Sequence, residues 1–136
     1  MDLALVRLLL DFGLVVLIFL VQLVIYPSFT HMNAADLKKW HPSYTKQVTL
    51  VVLPLMVGQA VVVLLQVFQA FTYLNLTSLL LVIALWLLTF LHAVPLHAQI
   101  DNTDEPLPAA HKLVTANRIR VFLWLLLFIF SGSTYI

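Results

Sequence analysis

The stretch LALVRLLLDFGLVVLIFLVQLVIY, residues 3–26, decides the fold because only two of its side chains, Arg7 and Asp11, are charged. About 20 consecutive, predominantly apolar residues are enough to cross the hydrocarbon core of a bilayer as a helix. The stretch lacks the small-residue cleavage site of a secretory signal peptide, and its two charges interrupt the apolar run. We therefore expect a retained transmembrane helix.

Three more apolar stretches follow, at about residues 42–71, 78–98 and 109–130. Of the 136 residues, 62% are hydrophobic and 10% are charged, whereas soluble domains carry roughly 25% charged residues. The connections between the stretches are short, and short connections place consecutive helices side by side in opposite directions. The sequence predicts one all-α domain, residues 1–136, folded as a membrane-spanning antiparallel four-helix bundle.

The connections carry signals that end or begin helices. Pro27 is predicted to end the first span, because proline has no N–H for the helix hydrogen bond. Residues 29–40 are then predicted to form a short interfacial helix, with Asn33 as its N-cap. Residues 101–108, DNTDEPLP, are expected to form an acidic, proline-bearing turn before the last span.

Positive charges are distributed unequally between the two ends of the predicted bundle. With four spans, both termini lie on one side, and residues 27–42 and 99–112 lie on the other. Six lysine and arginine residues belong to the side of these two connections, or three when Lys46, Arg118 and Arg120 within the spans are set aside, and one, Arg7, belongs to the side of the termini. The positive-inside rule then places both connections in the cytoplasm and both termini outside it, in a bacterial inner membrane or its equivalent.

Composition also excludes several classes of partner and cofactor. Cysteine is absent, which excludes disulfides and thiolate metal ligands. The sequence contains no basic run with interleaved aromatic residues and no glycine-rich phosphate loop, so no nucleic acid partner is expected. The expected partners are the lipid bilayer and a lipophilic small molecule, and assembly into a homo-oligomer or a larger membrane complex stays open.

Most polar side chains of the predicted spans fall in the half of the bundle next to the two connections. This half contains all five histidines, at positions 31, 41, 92, 97 and 111. Polar groups in hydrocarbon usually face the bundle interior or a wet cavity, so the cluster predicts a functional site. Arg118 and Arg120 differ by about 200° around a helix, and we expect Arg120 to point inward and Arg118 to reach the headgroups. At the other end, Arg7 and Asp11 are spaced for an ion pair that would lessen the cost of burial, and an interfacial pair is favoured over a buried one.

The residues of this half are predicted to carry out acid–base chemistry. His97 is the expected proton acceptor, oriented by Asp101 four residues later on the same helix face. Arg120 would stabilise an anion that forms on a lipophilic aromatic or quinone-type substrate. The candidate catalytic residues are His97, His41, Arg120 and Asp101, and the candidate substrate-binding residues are Tyr26, Tyr44, Gln59, His92 and Asn117.

Two other functions stay open at this point. A metal ion or haem would use His41, His92 and His97, with Pro95 bending the third span so that the last two rings approach each other. An inward Arg120 opposes a bound cation, so no cofactor is favoured. The other alternative is a non-enzymatic accessory subunit or small carrier of a membrane complex, in which the histidines are interfacial or simply hydrogen-bonded polar residues.

Five short motifs span most of the chain: YPSF at 26–29, WHPSY at 40–44, PLM at 54–56, VPLH at 94–97 and NRIR at 117–120. In order and spacing, these motifs resemble those of the anthrone-oxygenase-like proteins, a group of small four-span membrane proteins. The resemblance implies a cofactor-free oxidation of a polycyclic phenol, with His41 and His97 as candidate bases.

Overall fold

The computed structural model describes all 136 residues and contains four long helices and no strands. We name them α1 (Leu3–His31), α2 (Ala34–Gln69), α3 (Tyr73–Asn102) and α4 (Leu107–Tyr135, ending in one 3₁₀ turn). Each helix is long and apolar enough to cross a membrane. Even a helix of 29 residues extends roughly 43 Å, which exceeds the hydrocarbon core of about 30 Å. The chain is therefore an integral membrane protein whose helices are longer than the hydrocarbon core is thick.

Side-chain caps set the start of three helices. Asp2, Asn33 and Thr72 each accept a hydrogen bond from a backbone N–H two or three residues later. Such caps satisfy donors that the first turn of a helix leaves without an internal partner. The predicted cap at Asn33 is confirmed, but it begins α2 itself. The residues predicted to form an interfacial helix belong instead to the end of α1 and the start of α2, so a separate helix is not observed.

One π-helical turn precedes a proline in both α1 and α3. In α1 the turn is Val21–Ile25 and Pro27 follows, and in α3 the turn is Thr89–Ala93 and Pro95 follows. The wider turn makes room for the proline ring, which would clash with a carbonyl of the preceding helical turn. It also accommodates the loss of one helix hydrogen bond, because proline has no N–H to donate. The prediction that Pro27 ends the first span was therefore wrong, because α1 continues to His31.

The helices bury a shared core and leave apolar side chains on the outside. α1 and α3 each pack against both α2 and α4. Every helix contributes to the core, as shown by Leu14, Val63, Leu85 and Trp124, whose exposed fractions are 1% or less. Large hydrophobic side chains cover the outer surface of all four helices. An apolar outer surface of this extent fits a lipid environment and not water.

Candidate functional site

Four side chains from three helices form a continuous row of hydrogen bonds, which we call the histidine chain: Asp101, His41, His97 and Tyr26. Asp101 Oδ1 lies 2.7 Å from His41 Nδ1, and His41 Nε2 lies 2.8 Å from His97 Nδ1. At the other end, His97 Nε2 lies 3.0 Å from Tyr26 Oη. Tyr26 comes from α1 and His41 from α2, while α3 supplies the other two, so only the folded bundle brings the row together.

One arrangement of hydrogens satisfies the histidine chain when both rings are neutral and the carboxylate is ionised. A carboxylate only accepts, so His41 Nδ1 must carry the hydrogen that it donates to Asp101. His41 Nε2 then accepts from His97 Nδ1–H, and His97 Nε2 accepts from the Tyr26 hydroxyl. All four ring nitrogens are therefore engaged in hydrogen bonds.

The partner of Asp101 differs from the sequence prediction. Asp101 bonds to His41 of α2 and not to His97, although His97 lies four residues earlier on the same helix. α3 remains helical to Asn102, so Asp101 lies in its last turn rather than in a loop. The packing of α2 against α3 decides this pairing, and the spacing within one helix does not.

Aromatic rings enclose the middle of the histidine chain. The centroid of the Phe29 ring lies 5.5 Å from that of His41, and the centroid of Tyr44 lies 5.9 Å from it. His41 has no exposed surface, whereas 29% of the Asp101 side chain is exposed. The histidine chain thus runs from the surface of the bundle, at Asp101, to its interior.

A cavity of about 260 Å³ lies at the inner end of the histidine chain. Of its 19 lining residues 14 are hydrophobic, which is typical of sites that bind apolar small molecules. Tyr26, Tyr44, His97 and Arg120 supply polar groups to its wall. An apolar cavity with a few convergent polar groups is the pattern of a specific binding site.

The mouth of the cavity faces the outer surface of the bundle between α2 and α3. Leu53 of α2 and Phe90 and Val94 of α3 line the cavity, yet 41%, 48% and 46% of these residues are exposed. These residues belong to the lipid-facing surface, so the opening connects the cavity with the hydrocarbon region.

Arg120 is the most unusual group in the cavity wall. It is only 7% exposed, and no carboxylate pairs with it. Its Nη1 donates to Asn117 Oδ1 at 3.1 Å, and its Cζ lies 5.2 Å from the centre of the Trp124 ring. Its buried Nε has no hydrogen-bond partner within the protein. The prediction that Arg120 points inward and Arg118 outward is confirmed.

Three of the predicted binding residues lie outside the main cavity. Gln59 donates to Asp11 Oδ1 at 2.6 Å and accepts from Trp124 Nε1 at 3.3 Å, so its amide is fully engaged away from the cavity. Asn117 donates to Gln22 at 3.0 Å and positions Arg120. The third, His92, is exposed and borders only a small separate hollow.

The predicted metal ligands are not assembled into a site. His92 takes no part in the hydrogen bonds of His41 and His97, so the π turn before Pro95 does not bring the rings of His92 and His97 together. No group of three or more histidine, aspartate or glutamate side chains could hold a metal ion. The hydrogen bonding between His41 and His97 instead suits the movement of protons.

A second polar cluster, which we call the arginine cluster, lies at the opposite end of α1. Its members come from all four helices and are Arg7, Asp11, Gln59, Gln66, Ser78 and Trp124. Arg7 Nε donates to Asp11 Oδ2 at 3.4 Å, and both side chains are 2% exposed or less. The prediction of an interfacial pair was therefore wrong, because the pair points into the bundle.

The contacts of two members of the arginine cluster, Trp124 and Ser78, were not predicted from the sequence. Trp124 contacts Arg120 and Gln59, and the four-residue spacing from Arg120 to Trp124 on one helix could have indicated the first contact. Ser78 accepts a hydrogen bond from Arg7 Nη2 at 2.7 Å, and nothing local in the sequence predicts this contact.

Comparison with known proteins adds no family to these observations. No protein family, curated protein or solved structure matches the chain.

Proposed function

We propose that the protein binds a lipophilic aromatic or quinone-type small molecule in the cavity and acts on it as an oxygenase-like oxidoreductase. One observation carries the proposal: Arg120, a buried cation without a counter-charge, lines a cavity whose wall is mostly apolar. A buried charge is costly unless it is paired, so this position favours a ligand that brings its own negative charge or strong acceptor.

The chemistry follows from the groups around that acceptor. An oxygen of the ligand accepts hydrogen bonds from the Arg120 guanidinium, and an acidic proton of the ligand passes to His97 through the Tyr26 hydroxyl. The ligand becomes an enolate or phenolate, and Arg120 stabilises the charge on its oxygen. Tyr44 packs beside the same end of the cavity.

The size and position of the cavity favour a compact ring system. About 260 Å³ lies close to the lower end of the usual range for small-molecule sites, which begins near 300 Å³. Two or three fused rings fit such a volume better than a long-chain lipid does. The opening toward the bilayer supports a substrate that is dissolved in the membrane.

The resemblance to the anthrone-oxygenase-like proteins supports a specific reaction. Anthrone is an enolisable polycyclic ketone, and loss of a methylene proton gives an enolate that molecular oxygen oxidises directly. One oxygen atom enters the product anthraquinone, and the other leaves as water with the two methylene hydrogens. This reaction needs proton transfer and charge stabilisation from the protein and no resident cofactor.

The arrangement in the membrane belongs to the same proposal. We place the four helices antiparallel, with residues 27–42 and 99–112 on the cytoplasmic side of a bacterial inner membrane or its equivalent. The excess of lysine and arginine near these segments supports this orientation. The histidine chain then lies in the cytoplasmic half of the bundle.

The proposal is tested by incubating the protein in lipid nanodiscs with anthrone in air and measuring anthraquinone by chromatography. His97→Gln should lower the rate by about 100-fold or more, because it removes the proton acceptor. His111→Gln, which changes an exposed histidine of α4, should behave as the wild type does. Binding of anthrone without turnover would support a carrier instead, and no saturable binding would overturn the proposal.

A further inference from the structure

We propose that His41, paired with Asp101, stores the proton that the ligand gives up, so that the acid–base machinery extends beyond the cavity to the surface of the bundle. This inference rests on the proposed function, and it assigns a role to two groups that do not line the cavity. The observation behind it is the unbroken row of three hydrogen bonds from Tyr26 to Asp101.

The Tyr26–His97 and His97–His41 hydrogen bonds can each pass one hydrogen away from the cavity. When Tyr26 Oη receives a proton from the ligand, the original Tyr26 hydrogen moves to His97 Nε2. The hydrogen on His97 Nδ1 then moves to His41 Nε2. The ligand has lost one proton, Tyr26 and His97 each remain neutral, and His41 has become an imidazolium. The same steps in reverse return the proton and restore the original arrangement of hydrogens.

The surroundings of His41 make Asp101 necessary for this step. His41 is completely buried and is enclosed by Phe29 and Tyr44, so an isolated imidazolium would be costly there. The carboxylate of Asp101, 2.7 Å from Nδ1, supplies the compensating charge. Because Asp101 is partly exposed, its other lone pairs stay in contact with water. The pair resembles the aspartate–histidine part of a catalytic triad, in which the carboxylate stabilises an imidazolium.

The substitution Asp101→Asn tests whether His41 needs the negative charge of Asp101 or only the hydrogen bond that Asp101 accepts. Asparagine keeps an oxygen that can accept the His41 Nδ1–H hydrogen bond, but it cannot balance an imidazolium. The matched control is Asp104→Asn, which removes a fully exposed carboxylate near the same end of α3. Neither residue lines the cavity, so binding of the ligand itself should persist in both variants.

The experiment uses anthrone under argon, where no oxidation takes place. Binding is followed by quenching of tryptophan fluorescence, since Trp124 lines the cavity, and proton transfer is followed by the visible absorbance of the bound enolate. Wild type and Asp104→Asn should give the same bound enolate fraction. Asp101→Asn should bind anthrone with similar affinity but lower the enolate fraction at least tenfold. An unchanged enolate fraction in Asp101→Asn would overturn the inference and leave the proposed function standing.

A second measurement needs no ligand. Nitrogen-15 NMR of histidine-labelled wild-type protein should show His41 and His97 each protonated at Nδ1 and unprotonated at Nε2. A scalar coupling across the hydrogen bond should connect His97 Nδ1 with His41 Nε2. Failure of anthrone to bind combined with this NMR pattern would reject the proposed function alone. Absence of the coupling, or hydrogens on Nε2 of both resting rings, would reject the relay itself.

Discussion

Two buried arginines, Arg7 near the start of α1 and Arg120 near the middle of α4, have opposite surroundings. Arg7 donates to Asp11, to Gln66 at 3.1 Å and to Ser78 at 2.7 Å, so each of its three nitrogens has a partner. Arg120 donates to Asn117 and contacts the ring of Trp124, but its buried Nε has no partner. Only Arg120 borders the main cavity.

The difference in hydrogen-bond partners distinguishes an arginine that stabilises the fold from one that is available to a ligand. A buried arginine with a full set of partners holds helices together and has nothing left to offer a ligand. A buried arginine with free hydrogen-bonding capacity beside a cavity is destabilising unless something binds there. The arginine cluster therefore connects four helices, and the region of Arg120 is where we propose that the ligand binds.

The largest expected effect comes from breaking the arginine cluster. Asp11→Asn removes the only counter-charge of Arg7 and should lower the free energy of unfolding by about 3–5 kcal/mol, because it leaves a buried charge unpaired. Unfolding in mixed detergent–SDS micelles, followed by circular dichroism, measures the effect. Asp104→Asn is the control, and a loss below about 1 kcal/mol in Asp11→Asn would show that Arg7 is not held by this pair.

A smaller effect, on binding and not on folding, is expected from Arg120→Met. The variant should bind anthrone roughly 10- to 100-fold more weakly, since a hydrogen bond to a charged group contributes about 1.5–3 kcal/mol. Its stability should stay equal to that of the wild type or rise, because an unpaired buried charge is replaced by an apolar chain. Arg118→Met, an exposed change two residues away, should alter neither quantity. A stability loss like that of Asp11→Asn would make Arg120 a structural residue as well.

The smallest effect is expected from Gln59→Leu, which tests whether the arginine cluster is separate from the cavity beside Arg120. Gln59→Leu removes the acceptor of Trp124 and a donor to Asp11, and it should cost about 1 kcal/mol of stability, as interhelical hydrogen bonds in membranes do. Gln69→Leu, an exposed change on the same helix, should cost nothing measurable. Anthrone affinity should be unchanged in Gln59→Leu, since Gln59 does not line the cavity. A marked loss of affinity would extend the site into the arginine cluster.

Helix periodicity predicted some details of the site correctly. It placed Arg120 inward and Arg118 outward, because the direction of a side chain on one helix depends only on rotation about that helix. His41 and Gln59, which were candidate site residues of the second span, are both buried, as polar side chains of a membrane helix usually are.

Contacts between helices were harder to predict. Asp101 was assigned to His97 because the two share a helix face, yet it bonds to His41 across the bundle. Such a contact depends on the relative shift of α2 and α3 along their axes and on the extra rotation that the π turn in α3 introduces. The burial of the Arg7–Asp11 pair depends in the same way on Gln59, Gln66 and Ser78 arriving from other helices.

The sequence by itself determined that the chain is an all-helical membrane protein with four spans. The length and hydropathy of a segment are local properties, and they decide whether the segment can cross a bilayer as a helix. Only the tertiary structure decided which polar groups meet. A hydrogen bond in hydrocarbon needs donor and acceptor within about 3 Å, and that distance is set by helix shift and rotation, which no single segment encodes. For this reason the two arginines look alike in the sequence and differ in the folded protein.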